Sequence, residues 1–246
     1  MLISIVGQGT LAAATAECCD KPGRHSISNS ARDISIMWVA YDTPLDAERR
    51  PDSEWVMRRI REDIFVLDQA QAKPLILVSS QMPVGTIARL EREFQSHTFA
   101  YQPENIRVKT AVQDFENQAR VVIGRRDSKH DQLLADLFAP FTKRMIFTDP
   151  ETAEMTKHVL NTYLGMSIAY SNEMAKICKT VGADPLAITE ALRSDVRVSP
   201  KAPLLPGGPF NSGHLERDIF VMNELAKKHK LSVPIIENIM ASNCSK

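Results

Sequence analysis

Between Thr148 and Gly182 the chain reads TDPETAEMTKHVLNTYLGMSIAYSNEMAKICKTVG, a stretch that predicts one very long helix. Asp149 or Thr148 can cap its start, and Pro150 suits the first turn. Glu151 and Glu154 put negative charge near the positive end of the helix dipole. Lys176 and Lys179 fill a basic last turn, and Gly182 is a stop signal. Roughly 30 residues at about 1.5 Å each make a rod of some 45–50 Å. A rod that long is expected to back two halves of a fold, or two subunits. Lys157 and Asn161 stand four residues apart, hence on one face. On spacing alone the plain reading is a solvated lysine beside a polar surface asparagine.

The whole chain sets wider limits. Its 246 residues suffice for one large domain or two small ones with a sizeable core. Thirty Lys and Arg balance thirty Asp and Glu, so no footprint for nucleic acid or an anionic membrane surface is visible. No apolar run approaches the roughly 20 residues of a membrane span. The opening MLISIVGQG lacks a basic stretch and runs straight into a glycine turn, unlike a signal peptide. Cys18, Cys19, Cys178 and Cys244 are scattered, which fits a reduced, cytoplasmic protein. The histidines His25, His97, His130, His158 and His229 show no ligand spacing, so no metal is implied.

Residues 2–6 form an apolar strand that meets Gly7-Gln8-Gly9 and then an alanine-rich helix. A GxGxxG/A phosphate loop needs that strand–turn–helix context, and Ala12 takes its third position. Gly7 allows the tight turn, Gly9 lets backbone approach a pyrophosphate, and the helix N-terminus at Thr10 faces the anion. A tight turn with no ligand is the competing reading. A dinucleotide fold should next supply an Asp or Glu about 20 residues on, after a second strand, to hold the adenosine ribose. Residues 25–28 make a short strand here, followed by Asn29 and no immediate carboxylate. The adenosine half of the site therefore looks shortened.

Strands and helices then alternate: a strand ending in ISIMWV (34–39), a polar helix at 52–72, a strand at 73–80, a helix at 86–97, and strands at 98–101 and 120–124. This order predicts an α/β fold, a shortened Rossmann-like doubly wound parallel sheet over residues 1–147. An α-helical domain built on the long helix follows over 148–246. Ligands of such sheets bind outside the carboxyl ends of strands. Thr43, in the turn after residues 34–39, and Gln81, in the turn after 73–80, sit at such ends.

Seven motifs fall in a familiar order: DTPLD (42–46), SSQMPVGT (79–86), FAYQPENIR (99–107), RVVIG (120–124), ETAEMTKHVLNTY (151–163), SNEMAKICKTVGAD (171–184) and LRSDVRVSPKAPLLPGG (192–208). As a set they resemble UDP-glucose/GDP-mannose dehydrogenases over nearly the whole chain. The resemblance implies an NAD-binding domain, a long-helix dimerisation domain forming a homodimer, an active site at the domain boundary and a nucleotide-sugar substrate. Those enzymes oxidise a sugar CH2OH to a carboxylate by two hydride transfers to NAD. Carried over by motif, Lys157 and Asn161 help hold the water or oxyanion at the reacting carbon. Glu104 becomes an acid/base or water-positioning group, and Arg197 reaches the partner subunit's substrate. Asp218 matches the Asp of the family's C-x-x-K-D segment. Gly7, Gly9, Thr10, Thr43 and Gln81 fall to the cofactor.

The departures bear on the chemistry. The family's nucleophile loop is of the type GFGGxCFPKD, and here it reads PFNSGHLERD (209–218). His214 stands at the cysteine position and Arg217 at the lysine position, with Phe210 and Arg217 left for the substrate. Asn211 and Ser212 replace glycines that let a sugar approach. Gln81 replaces a threonine. A double oxidation needs a thiol to trap the aldehyde. The chain also ends about where the family enters its C-terminal nucleotide-binding domain, so that domain is expected to be absent.

A Lys-x-x-x-Asn pair on a long helix also resembles 3-hydroxyacid dehydrogenases, where one alcohol-to-carbonyl step needs only hydride and proton acceptors. Lys157 would relay the proton, Asn161 orient the oxygen, and His214 act as acid/base near neutral pH. The expectation is a single NAD(P)-dependent oxidation or reduction. The alternatives are a degenerate homologue that binds a ligand or partner without redox chemistry, or another reaction on a sugar-derived ligand using His214.

Overall fold

A computed structural model of the chain describes residues 1–45, 51–211 and 213–244. Asp46 of the DTPLD motif and Ser212 of the 209–218 loop lie outside the described residues. The chain forms two compact units, Met1–Lys157 and His158–Lys246, whose division falls inside the long helix.

Among the described residues, the first unit holds seven strands: β1 (Leu2–Val6), β2 (Ser26–Ile27), β3 (Ile36–Val39), β4 (Leu75–Val78), β5 (Thr98–Tyr101), β6 (Val121–Gly124) and β7 (Met145–Thr148). They form one sheet in the order β2-β1-β3-β4-β5-β6-β7. Every pairing is parallel except β5 with β6, which meet antiparallel at Tyr101 and Gly124. The helices are α1 (Thr10–Cys19), α2 (Ser53–Gln69), α3 (Thr86–Glu93), α4 (Ala111–Glu116) and α5 (Asp131–Phe138). The first turns of α6 (Pro150–Val181) complete the unit.

Alternation along the central strands explains the double winding. Ile36, Trp38 and Ala40 face one way, with Leu75 and Leu77, into a core closed by Leu11, Cys18, Phe115, Leu134 and Phe138. Met37, Val39 and Tyr41 face the other way, with Ile76 and Val78, against Val56, Ile60, Ile64, Ile87, Leu90 and Ala153. A strand buried on both faces must be apolar at every position, which is why β3 and β4 read as continuous runs.

Several elements are shorter than the sequence suggests, because the predicted ends lie beyond the last ladder or helical hydrogen bond. In the first unit β7, α4 and α5 go unannounced in the sequence. Residues of β7 are all half-buried, so MIFT carries a weak strand signal at the sheet edge. The helices α4 and α5, of six and eight residues, are too short for a clear period.

Asp149 is the cap of α6: its carboxylate accepts from the Thr152 amide at 2.8 Å and the Thr152 hydroxyl at 2.8 Å. Gly182, at φ 73°, ends the helix, and the Ala183 amide donates to the Cys178 carbonyl at 2.9 Å. Glu154 does not serve the α6 dipole as its place in the sequence suggests. It is fully buried, and its carboxylate accepts from the Gly85 amide at 2.6 Å and the Ile87 amide at 2.8 Å, capping α3 instead. Burial pushes its pKa up to about 7, against the pull of those two amides.

The second unit contains the rest of α6 with α7 (Pro185–Ser194), α8 (His214–Lys228) and α9 (Pro234–Cys244). Its core is small: Ala169, Ile219 and Ile239, with Met166, Phe210 and Met240 packed on it.

Candidate functional site

The glycine loop lies between the carboxyl ends of β1 and β3, where the strand order reverses direction. In a doubly wound sheet that switch point is the ligand crevice. A Cβ on Gly7 would stand 2.3 Å from the Ala40 carbonyl oxygen, so only glycine lets the loop approach β3 so closely. Gly9 sits at φ 100° and ends where α1 begins. The orphan amides of the first turn of α1 face a carboxylate from the chain itself. Asp42 Oδ2 accepts from the Thr10 amide at 2.8 Å, and Oδ1 from the Leu11 amide at 3.3 Å. A Cβ on Gly9 would lie 2.2 Å from that Oδ2.

Thr43 and Gln81 meet across the ends of β3 and β4, where the Thr43 hydroxyl donates to the Gln81 carbonyl at 2.7 Å. A buried relay runs beside them. The Trp38 indole donates to Ser79 Oγ at 2.8 Å, Ser79 donates to Gln102 Oε1 at 2.8 Å, and the Gln102 amide donates to the Pro103 carbonyl at 3.0 Å. This relay fixes the turn that presents Glu104. One Glu104 oxygen accepts from the Ile106 amide at 2.9 Å, and the other forms an ion pair with Lys157. The Lys157 side chain is 7% exposed and the Glu104 side chain 16%, so the pair is largely withdrawn from water. Lys157 is therefore not the solvated lysine that its helical spacing suggests.

In the second unit Asp218 is fully buried, and Asn161 and His158 both reach it. Asn161 donates its side-chain amide to one oxygen, and His158 Nδ1 lies 2.7 Å from the other. The sequence pointed to Asn161 and Asp218 but passed over His158, because a histidine next to a lysine on a helix carries no spacing signal. His214 opens α8 on the surface, with Nδ1 3.2 Å from an Arg217 guanidinium nitrogen three residues on. Phe210 is held by its backbone, which exchanges hydrogen bonds with the Asn243 side chain at 2.9 and 3.0 Å. Its ring packs by Gly165, where an added Cβ would come within 3.4 Å of it. Arg197 is exposed and forms a fork on Asp195 at 2.9 and 2.7 Å, which holds the Asp195 carboxyl down at about 2.

A dinucleotide brings a pyrophosphate, and the loop can be tested for it. The amides of Thr10 and Leu11 converge on an anion, with Asp42 as the stand-in, and both glycines are required by close approach. The loop therefore fits an anion of the phosphate kind. The strand β2 ends at Ile27, followed by Ser28 and Asn29, so the ribose end has no adjacent carboxylate. Among the described residues, no group of three or more His, Cys, Asp or Glu could hold a metal ion. Among them, too, no helix is long and apolar enough to cross a membrane.

Comparison with known proteins matches both units. Residues 10–142 match the NAD binding domain of the UDP-glucose/GDP-mannose dehydrogenase family, and residues 151–245 match its central domain. A UDP-glucose 6-dehydrogenase of Rickettsia prowazekii (strain Madrid E) is 28% identical over 224 residues, covering 88% of this chain and 50% of that protein. One from Bacillus subtilis (strain 168) is 26% identical over 226 residues, covering 89% of this chain and 48% of that protein. The chain thus spans about half the length of these curated relatives. The structure of a UDP-glucose dehydrogenase from the archaeon Pyrobaculum islandicum superposes with a TM-score of 0.81 at 21% identity, over 98% of this chain and 67% of that one. A UDP-D-ManNAc dehydrogenase from Pyrococcus horikoshii gives 0.78 at 21% identity, over 99% and 68%. Both structures speak for the fold alone. With the two family domains matched in order along the chain, this protein belongs to the UDP-glucose/GDP-mannose dehydrogenase family.

Proposed function

We propose that this chain carries out a single alcohol–carbonyl interconversion on a nucleotide sugar, with NAD(P) as hydride acceptor or donor. The observation that carries the reading is the enclosed Lys157–Glu104 pair. A buried ammonium beside a carboxylate would offer a positive charge to a developing alkoxide while the carboxylate takes the proton. Removing the alcohol proton leaves the oxygen negative, and Lys157 offsets that charge while Glu104 receives or returns the proton. In the second unit the Asn161 amide donates to Asp218, and the resemblance assigns Asn161 to the oxygen at the reacting carbon. The Gly7, Gly9, Thr10 and Leu11 backbone would hold the cofactor's pyrophosphate, and the cofactor would accept the hydride. Thr43 and Gln81 stand at neighbouring strand ends of the same crevice.

The reaction is read as stopping after one step because the family's thiol position is His214 in the matching loop. Cys18 and Cys19 are buried in α1, and burial pushes both thiols up, to about 11 and about 12, away from the thiolate a nucleophile needs. Cys178 is buried in α6 and Cys244 closes α9. His214 with Arg217 supplies an acid/base group and a cation instead, and Phe210 and Arg197 are assigned to substrate contacts.

A homodimer fits the exposed face of α6. Val159, Tyr163, Tyr170, Ile177 and Val181 recur at intervals of four and seven residues and are 48–71% exposed. Four free cysteines fit a reducing, cytoplasmic setting. The test is hydride transfer followed at the nicotinamide absorbance, with purified full chain and a panel of nucleotide sugars. Turnover that K157M abolishes supports the reading. Absence of turnover together with absence of NAD+ binding by calorimetry removes it, in favour of a homologue that binds without redox chemistry.

A further inference from the structure

The Asp42 carboxylate sits where a bound pyrophosphate would sit, on the amides that open α1. We propose that Asp42 is a built-in competing anion: it caps the phosphate cradle of its own chain, and a dinucleotide enters only by displacing it. The inference rests on the reading that this loop is the cofactor site, and it adds a device that holds the site closed.

Three observations support a built contact rather than a loose side chain. Both oxygens are used, one on Thr10 at 2.8 Å and one on Leu11 at 3.3 Å. The backbone that carries Asp42 is pinned on both sides. Its own amide donates to the Gln8 carbonyl at 3.1 Å, the Tyr41 amide donates to Ser80 Oγ at 2.8 Å, and the Thr43 hydroxyl donates to Gln81. The space at Gly9 is filled by the carboxylate to within 2.2 Å of an added Cβ, so a phosphate oxygen and Asp42 cannot share it.

Electrostatics point the same way. The stretch from Gly7 to Ala16 carries no basic side chain, so the loop itself meets an anion with amides and the helix dipole. A carboxylate accepting charge-assisted bonds from those amides satisfies them in the absence of ligand. A pyrophosphate must break both bonds, move the carboxylate aside, and then lie next to its charge. Affinity for the cofactor is thereby set by one residue outside the glycine motif.

Asp42→Ala and Asp42→Asn in the full chain test this, the second keeping the side-chain volume without the charge. The probes are NAD+ and inorganic pyrophosphate, read by calorimetry and by the amide resonances of Thr10 and Leu11. A thermal melt checks that each variant is folded. At least tenfold tighter binding of NAD+ to D42A, a smaller gain in D42N, and pyrophosphate-induced shifts of both amides only in the variants are expected. Binding of both probes to the variants no tighter than to the wild type overturns the proposal. So does weaker NAD+ binding, which would make Asp42 a cofactor ligand. A gain for pyrophosphate without a gain for NAD+ upholds the role of Asp42 and removes the dinucleotide from the proposed function, so the two ideas fail separately.

Discussion

Lys157 and Glu104, separated by 53 residues in sequence, form an ion pair whose side chains are 7% and 16% exposed. Charge this far from water holds only while both partners are present. Replacing Lys157 by Met leaves the Glu104 carboxylate enclosed with one backbone amide as partner, and should cost about 3 kcal/mol of stability. The double replacement K157M/E104Q should recover a large part of that loss. Urea titration of the two singles and the double gives the coupling. Strict additivity of the singles would mean that the pair contributes nothing as a pair.

Glu154 gives the first unit a pH dependence opposite in sign to that of an ordinary surface carboxylate. Burial raises its pKa from 4.5 to about 7, so between those values the folded chain holds a proton that the unfolded chain has released. Its contribution is full below about pH 4.5 and is lost as the pH rises to about 7. Asp63, pushed up to about 6 by burial, acts in the same direction, so the comparison must isolate one group. Thermal melts from pH 4.5 to 8 should show the wild type losing on the order of 2–3 kcal/mol relative to Glu154→Gln over that range. Parallel curves for the two proteins would refute this assignment.

The closeness of Gly9 and Asp42 can be tested without any ligand. Gly9 sits at φ 100°, and an added Cβ would meet the Asp42 carboxylate at 2.2 Å. Gly9→Ala should cost about 2–3 kcal/mol, part from backbone strain and part from displacing the carboxylate from the α1 amides. Adding Asp42→Ala removes the second part only. G9A/D42A should therefore be less destabilised than the sum of the singles, by about 1 kcal/mol. A sum that simply adds would place the carboxylate elsewhere.

The apolar stripe of α6 provides a test of assembly. Tyr170 and Ile177 are 48% and 55% exposed at its centre. Replacing Tyr170 with Glu in the full chain should convert a dimer to a monomer in light scattering, with little change in the melt. A wild type that is monomeric at 100 µM or so, a level at which a micromolar pair would associate, would rule out this face as the dimer contact.

The parts of the fold that repeat along the chain were legible in the sequence. Apolar runs with glycine turns announced the central strands, and the cap and stop of α6 were read from Asp149 and Gly182. The site was legible only as residue types in motif order. That Lys157 is buried depends on Glu104, that Asp218 is satisfied depends on His158, and that the cradle is filled depends on Asp42, 32 residues beyond Thr10. Each is a pairing across the fold with no periodic trace. Glu154 behaves the same way: its place near a helix start suggests the local dipole, while burial hands it to the neighbouring helix. The edge strand β7 leaves little trace in the sequence because an edge needs less apolar character than the centre of a sheet.

The most direct measurement is the stoichiometry of reduced cofactor to sugar consumed, with the oxidised carbon identified by NMR. One NADH per nucleotide sugar, with an aldehyde as product, is the result that the proposed single oxidation predicts. Two NADH per sugar, with a carboxylate as product, would contradict it.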